Sequence, residues 1–77
     1  MSFKQDLGGL LGSLRERSGV SQEALAVQLR HDQSYVSRIE AGERQISILL
    51  LLQWCDALNL EFVDVTSRIL NTWRGEN

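Results

Sequence analysis

The 77-residue sequence contains no proline and only one cysteine, Cys55. A single cysteine cannot form an internal disulfide, and this fits a protein that resides in a reducing compartment. Hydrophobic residues make up 43% of the chain and recur at helical spacing. Together with the absence of proline, this pattern favours an all-helical fold.

Long apolar runs and targeting signals are also missing. The run Ile48 to Leu52 has five residues, whereas a membrane-spanning helix needs about 20. The N-terminus lacks the charged and apolar segments of a secretory signal, so we expect a cytoplasmic protein with no membrane partner. The sequence has no metal-spaced cysteines and histidines, no glycine-rich phosphate loop and no nucleophile with a histidine base. We therefore expect neither an enzyme nor a bound metal or cofactor.

An excess of basic residues is lacking too, since the formal net charge is −2. This charge argues against nucleic-acid binding, because neutralisation of phosphates dominates DNA affinity. The charges are, however, unevenly distributed. Residues 1–44 hold six basic and six acidic residues, whereas residues 45–77 hold two basic and four acidic ones. The acidic excess therefore lies entirely in the C-terminal part.

Two short capped helices are predicted between residues 21 and 41. Ser21 and Asp32 each carry a side-chain oxygen that can accept from the free N–H groups of a first helical turn. The first helix has an apolar face with small alanines, and the second has only a narrow stripe, formed by Val36 and Ile39. Gly42 can adopt the left-handed conformation of a C-terminal cap, so we expect the second helix to end just before it.

Three segments resemble the DNA-binding domain of phage-repressor and Cro-like regulators, the xenobiotic-response-element family. They are L-R-E-R-S-G-V-S-Q-E-A-L-A, Q-S-Y-V-S-R-I-E-A-G-E-R and L-L-Q-W-C-D-A-L, and the resemblance covers roughly Leu11 to Leu60. It implies a compact all-α, five-helix, lambda-repressor-like domain over residues 1–77, with the helix-turn-helix at about 21–41. The implied function is that of a bacterial or phage transcriptional regulator, a repressor that binds a specific double-stranded DNA operator.

The second helix of the pair, about residues 33–41, is the recognition helix, which would enter the major groove. Its candidates for contacts to base edges are polar side chains outside the apolar stripe, namely Gln33, Ser34, Ser37 and Arg38. Contacts to the DNA backbone are expected from Arg44 and from Gln22, which matches a phosphate-contacting position of the family at a helix N-terminus. Tyr35 is expected to contact a phosphate or a thymine methyl, or alternatively to form part of the core.

Two further positions follow from the resemblance. Arg15 and Glu40 occupy the positions of a family salt bridge that joins helix 1 to the end of helix 3. Arg30 stands in the turn where relatives usually have glycine, and a left-handed conformation there would cost arginine about 1 kcal/mol. An altered turn would change the angle of the recognition helix.

Apolar residues at helical spacing predict three further helices. The N-terminal helix contains Gly8, Gly9 and Gly12, and these residues favour a helix start near Leu10. The alternative is that another element closely approaches the face of this helix that carries the glycines. The fourth helix begins after Ser47, ends at about Asn59 and has a core face formed by Ile48, Leu51, Leu52, Cys55 and Leu58. The fifth spans about 62–73, with a short strand over residues 61–65 as the alternative for its beginning.

More apolar surface is present than one small core requires. Seven residues of the fourth and fifth helices are expected to form a homodimer interface: Leu50, Trp54, Phe62, Val65, Ile69, Leu70 and Trp73. Relatives commonly dimerise through C-terminal helices; the alternative is that Trp54 completes the core of the monomer. The alternative function is that of an antitoxin or adaptor, which would bind a toxin or another protein partner through this surface.

Overall fold

Five helices build the fold in the computed structural model, which describes residues 2–76. They are α1 (Phe3–Arg17), α2 (Gln22–Leu29), α3 (Gln33–Glu40), α4 (Ile48–Ala57) and α5 (Phe62–Glu76). No strand occurs among the described residues, so the prediction of an all-α, five-helix fold is confirmed and the alternative strand over residues 61–65 is wrong. None of these helices is both long enough and apolar enough to cross a membrane.

Helix α1 begins well before Leu10, so the predicted start is wrong. Ser2 forms a capping box with Gln5: the Ser2 hydroxyl accepts from the Gln5 N–H at 3.3 Å, and the Gln5 side chain accepts from the Ser2 N–H. This cap stabilises the first turn. Gly8 serves the alternative role, since a Cβ there would lie 2.5 Å from the carbonyl oxygen of Ile39. Gly8 therefore allows the backbones of α1 and α3 to approach closely.

Helix α4 buries a face that is rotated from the predicted one, since Leu51, Cys55 and Leu58 are buried as expected but Leu50 and Trp54 join them. Its buried residues recur at i, i+1, i+4, i+5 and i+8 and therefore form one helical stripe of Leu50, Leu51, Trp54, Cys55 and, at the C-cap, Leu58. Ile48 and Leu52, both expected in the core, are exposed. The N-cap is as predicted, because the Ser47 hydroxyl accepts from the Leu50 N–H at 3.0 Å.

The core lies where α1 to α5 meet, and its largest fully buried side chain is Trp54. Trp54 is 0% exposed, Leu50 4% and Val65 2%. These three residues were expected at a dimer interface, and that expectation is wrong, because all of them are enclosed within the monomer. Burial also raises the pKa of the Cys55 thiol, so this residue behaves as a small apolar group.

A matched pair of glycine substitutions tests the close approach of α1 to α3. We expect Gly8→Ala to lower the free energy of unfolding by about 1 to 3 kcal/mol, because the added methyl would overlap backbone atoms that cannot rotate away. Gly9→Ala meets nothing within 4 Å and should raise that free energy by up to about 1 kcal/mol through helix propensity. Urea unfolding of both variants measures the difference; equal changes would contradict the packing described above.

Candidate nucleic-acid interface

Helices α2 and α3 form a helix-turn-helix whose two caps are in place. The Ser21 hydroxyl accepts from the Ala24 N–H at 3.1 Å, and Asp32 Oδ1 accepts from the Tyr35 N–H at 2.8 Å. Between the helices, Arg30 has the left-handed conformation, with φ 60° and ψ 39°. Arginine thus occupies the left-handed conformation that glycine adopts at lower cost.

Helix α3 divides sharply into a buried stripe and an exposed face. Val36 is 0% exposed and Ile39 2%, and these two residues fix the helix against the core. The side chains expected at base edges are all exposed and lie on the remaining circumference, namely Gln33, Ser34, Ser37 and Arg38. Their spacing puts Ser34 and Arg38 one turn apart, and Gln33 and Ser37 likewise. The polar surface of α3 is therefore exposed, while Val36 and Ile39 pack the opposite side of the helix against the core.

A largely buried ion pair joins α1 to the end of α3. Arg15 donates from Nε to Glu40 Oε2 at 2.6 Å and from Nη2 to Oε1 at 3.0 Å, so the ion pair implied by the family resemblance is present. Arg15 also donates from Nη1 to the carbonyl oxygen of Val20 at 2.8 Å, just before α2. The hydrogen bond to Glu40 is the main cause that raises the pKa of the Arg15 guanidinium. One guanidinium thus ties together three segments of the chain.

Gln22 is drawn into this ion pair rather than left free at the N-terminus of α2. Its amide nitrogen donates to Glu40 Oε1 at 3.0 Å, and its amide oxygen accepts a long hydrogen bond of 3.4 Å from Gln33 Nε2. Sequence reasoning assigned Gln22 to a phosphate only and missed these bonds. Gln22 and Gln33 therefore connect the first turn of α3, through α2, to the carboxylate at the last residue of α3.

Tyr35 is half-buried at the edge of α3 and carries two stacked neighbours. The ring of His31 lies parallel to it, with centroids 4.0 Å apart and an interplanar angle of 13°. The guanidinium carbon of Arg44 lies 4.6 Å from the centroid of the Tyr35 ring, a cation–π distance. His31 was not predicted to have a role, because it lies in the turn before α3, where helical spacing does not apply. The stack holds Arg44 beside the exposed face of α3.

The first turn of α3 contains a second hydrogen bond to its cap. Ser34 Oγ donates to Asp32 Oδ1 at 2.7 Å. The pKa of the Asp32 carboxyl is lowered, first by this hydroxyl and then by the N–H of Tyr35. Asp32 therefore remains a carboxylate at neutral pH.

A family model for a helix-turn-helix domain matches residues 6–66, whereas no curated protein matches the chain significantly. Among solved structures, the clp gene regulator ClgR from Corynebacterium glutamicum is 30% identical, with a TM-score of 0.82 and 94% of each chain covered. The restriction-modification controller protein C.AhdI from Aeromonas hydrophila is 35% identical, with a TM-score of 0.75 over 80% of this chain and 90% of that one.

A more distant structure shares the fold. The restriction-modification controller protein C.Esp1396I, solved as a tetramer in complex with its natural 35-base-pair operator, has a TM-score of 0.79 over 94% of this chain and 95% of that one. Its identity to this sequence is 22%, so the likeness is one of fold.

Removal of one charge tests the ion pair. We expect Glu40→Gln to lower the free energy of unfolding by about 3 kcal/mol, because the buried Arg15 guanidinium would lose its counter-charge. Glu43→Gln makes the same change in charge at an exposed position of the following loop and should alter stability by less than about 0.5 kcal/mol. Thermal unfolding of the two variants gives the comparison. If the two variants were equally stable, the ion pair between Arg15 and Glu40 would contribute no more to stability than the exposed charge of Glu43.

Proposed function

This chain belongs to the helix-turn-helix family, and we propose that it is a sequence-specific regulator of transcription that binds double-stranded DNA. The observation that carries the proposal is the division of α3, whose buried stripe anchors the helix while its polar side chains remain exposed. A helix of this kind can enter the major groove and hydrogen-bond to base edges. In this proposal Gln33, Ser34, Ser37 and Arg38 read the bases.

Phosphate contacts would come from residues that flank α3. Arg44 is exposed and is supported by the Tyr35 ring, so its guanidinium is partly ordered before it meets a phosphate. Gln22 lies at the N-terminus of α2, where backbone N–H groups favour an anion; its side chain is bound to Glu40, which makes the backbone N–H its more available donor. Tyr35 would itself contact a phosphate or a thymine methyl from the edge of the helix.

The relatives favour a regulatory function over a catalytic one. ClgR is a gene regulator, and C.AhdI is a controller protein. In the proposal this chain acts in the cytoplasm, without enzymatic activity, and represses transcription sterically when it occupies an operator that overlaps a promoter.

We propose further that the chain acts as a homodimer through α5 and the exposed side of α4. Of the residues first expected there, Leu70 is 43% exposed and Trp73 49%, while Phe62 and Ile69 are half-buried. Additional exposed apolar side chains on these two helices are Ile48, Leu49, Leu52 and Val63. Covering this surface would be favourable at roughly 25 cal/mol per Å², and a two-fold dimer would direct two α3 helices at two half-sites.

The DNA-binding proposal is tested by selection of binding sites from random duplexes. The wild type should yield a two-fold-symmetric motif, and Arg38→Ala should lose about 1 to 3 kcal/mol of affinity, mainly at one base pair. Arg68→Ala removes the same charge from an exposed position on α5 and should retain the motif. Failure of the folded wild type to select any motif would favour the alternative of an antitoxin or adaptor with a protein partner.

The dimer is tested by a charge on α5. Leu70→Asp should give monomers in sedimentation velocity, because a carboxylate would be buried without a partner in the interface. Asn71→Asp adds the same charge at the adjacent exposed position and should leave the dimer intact. Trp73 is a poorer probe, because its ring also packs edge-on against Phe3 within the monomer, with the ring centroids 5.1 Å apart. A dimer that persists in Leu70→Asp would exclude this surface.

A further inference from the structure

The hydrogen bond between Ser34 and Asp32 fixes the direction in which the Ser34 hydroxyl can bond. The two oxygens lie 2.7 Å apart, and an ionised carboxylate can only accept. Ser34 must therefore supply the proton. A serine hydroxyl has one proton and two lone pairs, so the exposed side of Ser34 Oγ is left with acceptor capacity alone.

We propose that Ser34 reads DNA as a hydrogen-bond acceptor, from the exocyclic amine of an adenine or a cytosine, and that Asp32 is the positioning residue that sets this polarity. The inference rests on the proposed DNA-binding function and adds the chemical class of the base atom. In the major groove the available amines are N6 of adenine and N4 of cytosine, whereas N7 and O6 of guanine and O4 of thymine are acceptors. An acceptor on the protein can bond to the amines but not to the base atoms that are themselves acceptors.

Two observations keep Asp32 in this role. Its Oδ1 also accepts from the Tyr35 N–H at 2.8 Å, so the carboxylate is held at the N-cap and cannot rotate freely. His31 and Arg38 lie close enough to contribute favourable charge to it. The carboxylate itself can only accept, so any base acceptor brought to this turn would be repelled by Asp32 as well as left unpaired by Ser34.

The polarity of α3 then changes along its exposed face. Ser34 offers an acceptor in the first turn, and Arg38, four residues later on the same face, offers only donors. Arginine pairs best with N7 and O6 of guanine. The half-site should therefore combine an amine contact at the Ser34 end with a guanine contact at the Arg38 end.

The experiment must distinguish atoms, because every base pair carries both donors and acceptors in the major groove. Selection with the wild type and with Ser34→Ala first identifies the base pair whose preference depends on Ser34. Duplexes are then made with single-atom analogues there: purine for adenine or 2-pyrimidinone for cytosine, which lack the amine, and 7-deazapurines, which lack the N7 acceptor. The affinities of wild type and Ser34→Ala are measured on the same duplexes. Any effect of the analogue on base pairing is then the same for both proteins and cancels in their ratio.

Loss of the amine should weaken wild-type binding about fivefold more than it weakens Ser34→Ala, the value of one net hydrogen bond. The 7-deaza analogues should affect both proteins equally. Asp32→Gly removes the oxygen to which the Ser34 hydroxyl donates, and glycine is tolerated at an N-cap. This variant should therefore reduce the amine-dependent difference, while its melting temperature confirms folding.

Three results would overturn the inference. They are equal losses in wild type and Ser34→Ala when the amine is removed, a 7-deaza effect confined to the wild type, and an amine dependence that Asp32→Gly leaves unchanged. Failure of the wild type to select any motif is recognised at the first step and would instead remove the proposed function on which the inference depends.

Discussion

The buried ion pair between Arg15 and Glu40 is the interaction on which the candidate interface depends. Glu40 is the last residue of α3, and Arg15 lies in the last turn of α1, so the pair holds the end of the recognition helix against α1. The same guanidinium bonds to the Val20 carbonyl, and the same carboxylate accepts from Gln22. A single carboxylate thus fixes the positions of α1, α2 and α3 relative to one another, because each of its neighbours belongs to a different segment.

Local chemistry made the helix-turn-helix predictable. The N-caps Ser21, Asp32 and Ser47, the left-handed Gly42 after α3, and the narrow stripe of Val36 and Ile39 are all short-range signals, and each appears in the structure. Arg30 adopts φ 60° although arginine pays for it, which shows that the surrounding packing outweighs a local preference of about 1 kcal/mol.

Long-range packing was the source of the errors. The run Ile48 to Leu52 is apolar on every side, so periodicity alone could not choose between two phases of α4, and the buried phase was set by where Trp54 fits. The glycines of α1 resembled a weak helix start, yet Gly8 faces a backbone carbonyl of α3, a contact between residues distant in sequence. In the candidate site, the exposed face of α3 was predictable from its stripe, whereas the bonds from Gln22 to Glu40 and from Gln33 to Gln22 depend on the assembled fold.

The shared carboxylate has an evolutionary consequence. A substitution near Glu40 alters both the stability of the domain and the orientation of Gln22, which in turn touches Gln33. Drift in the core can therefore change which bases are preferred, without any substitution on the exposed face of α3. Homologues that differ only in buried positions around this carboxylate would be expected to have diverged in the sequences they recognise.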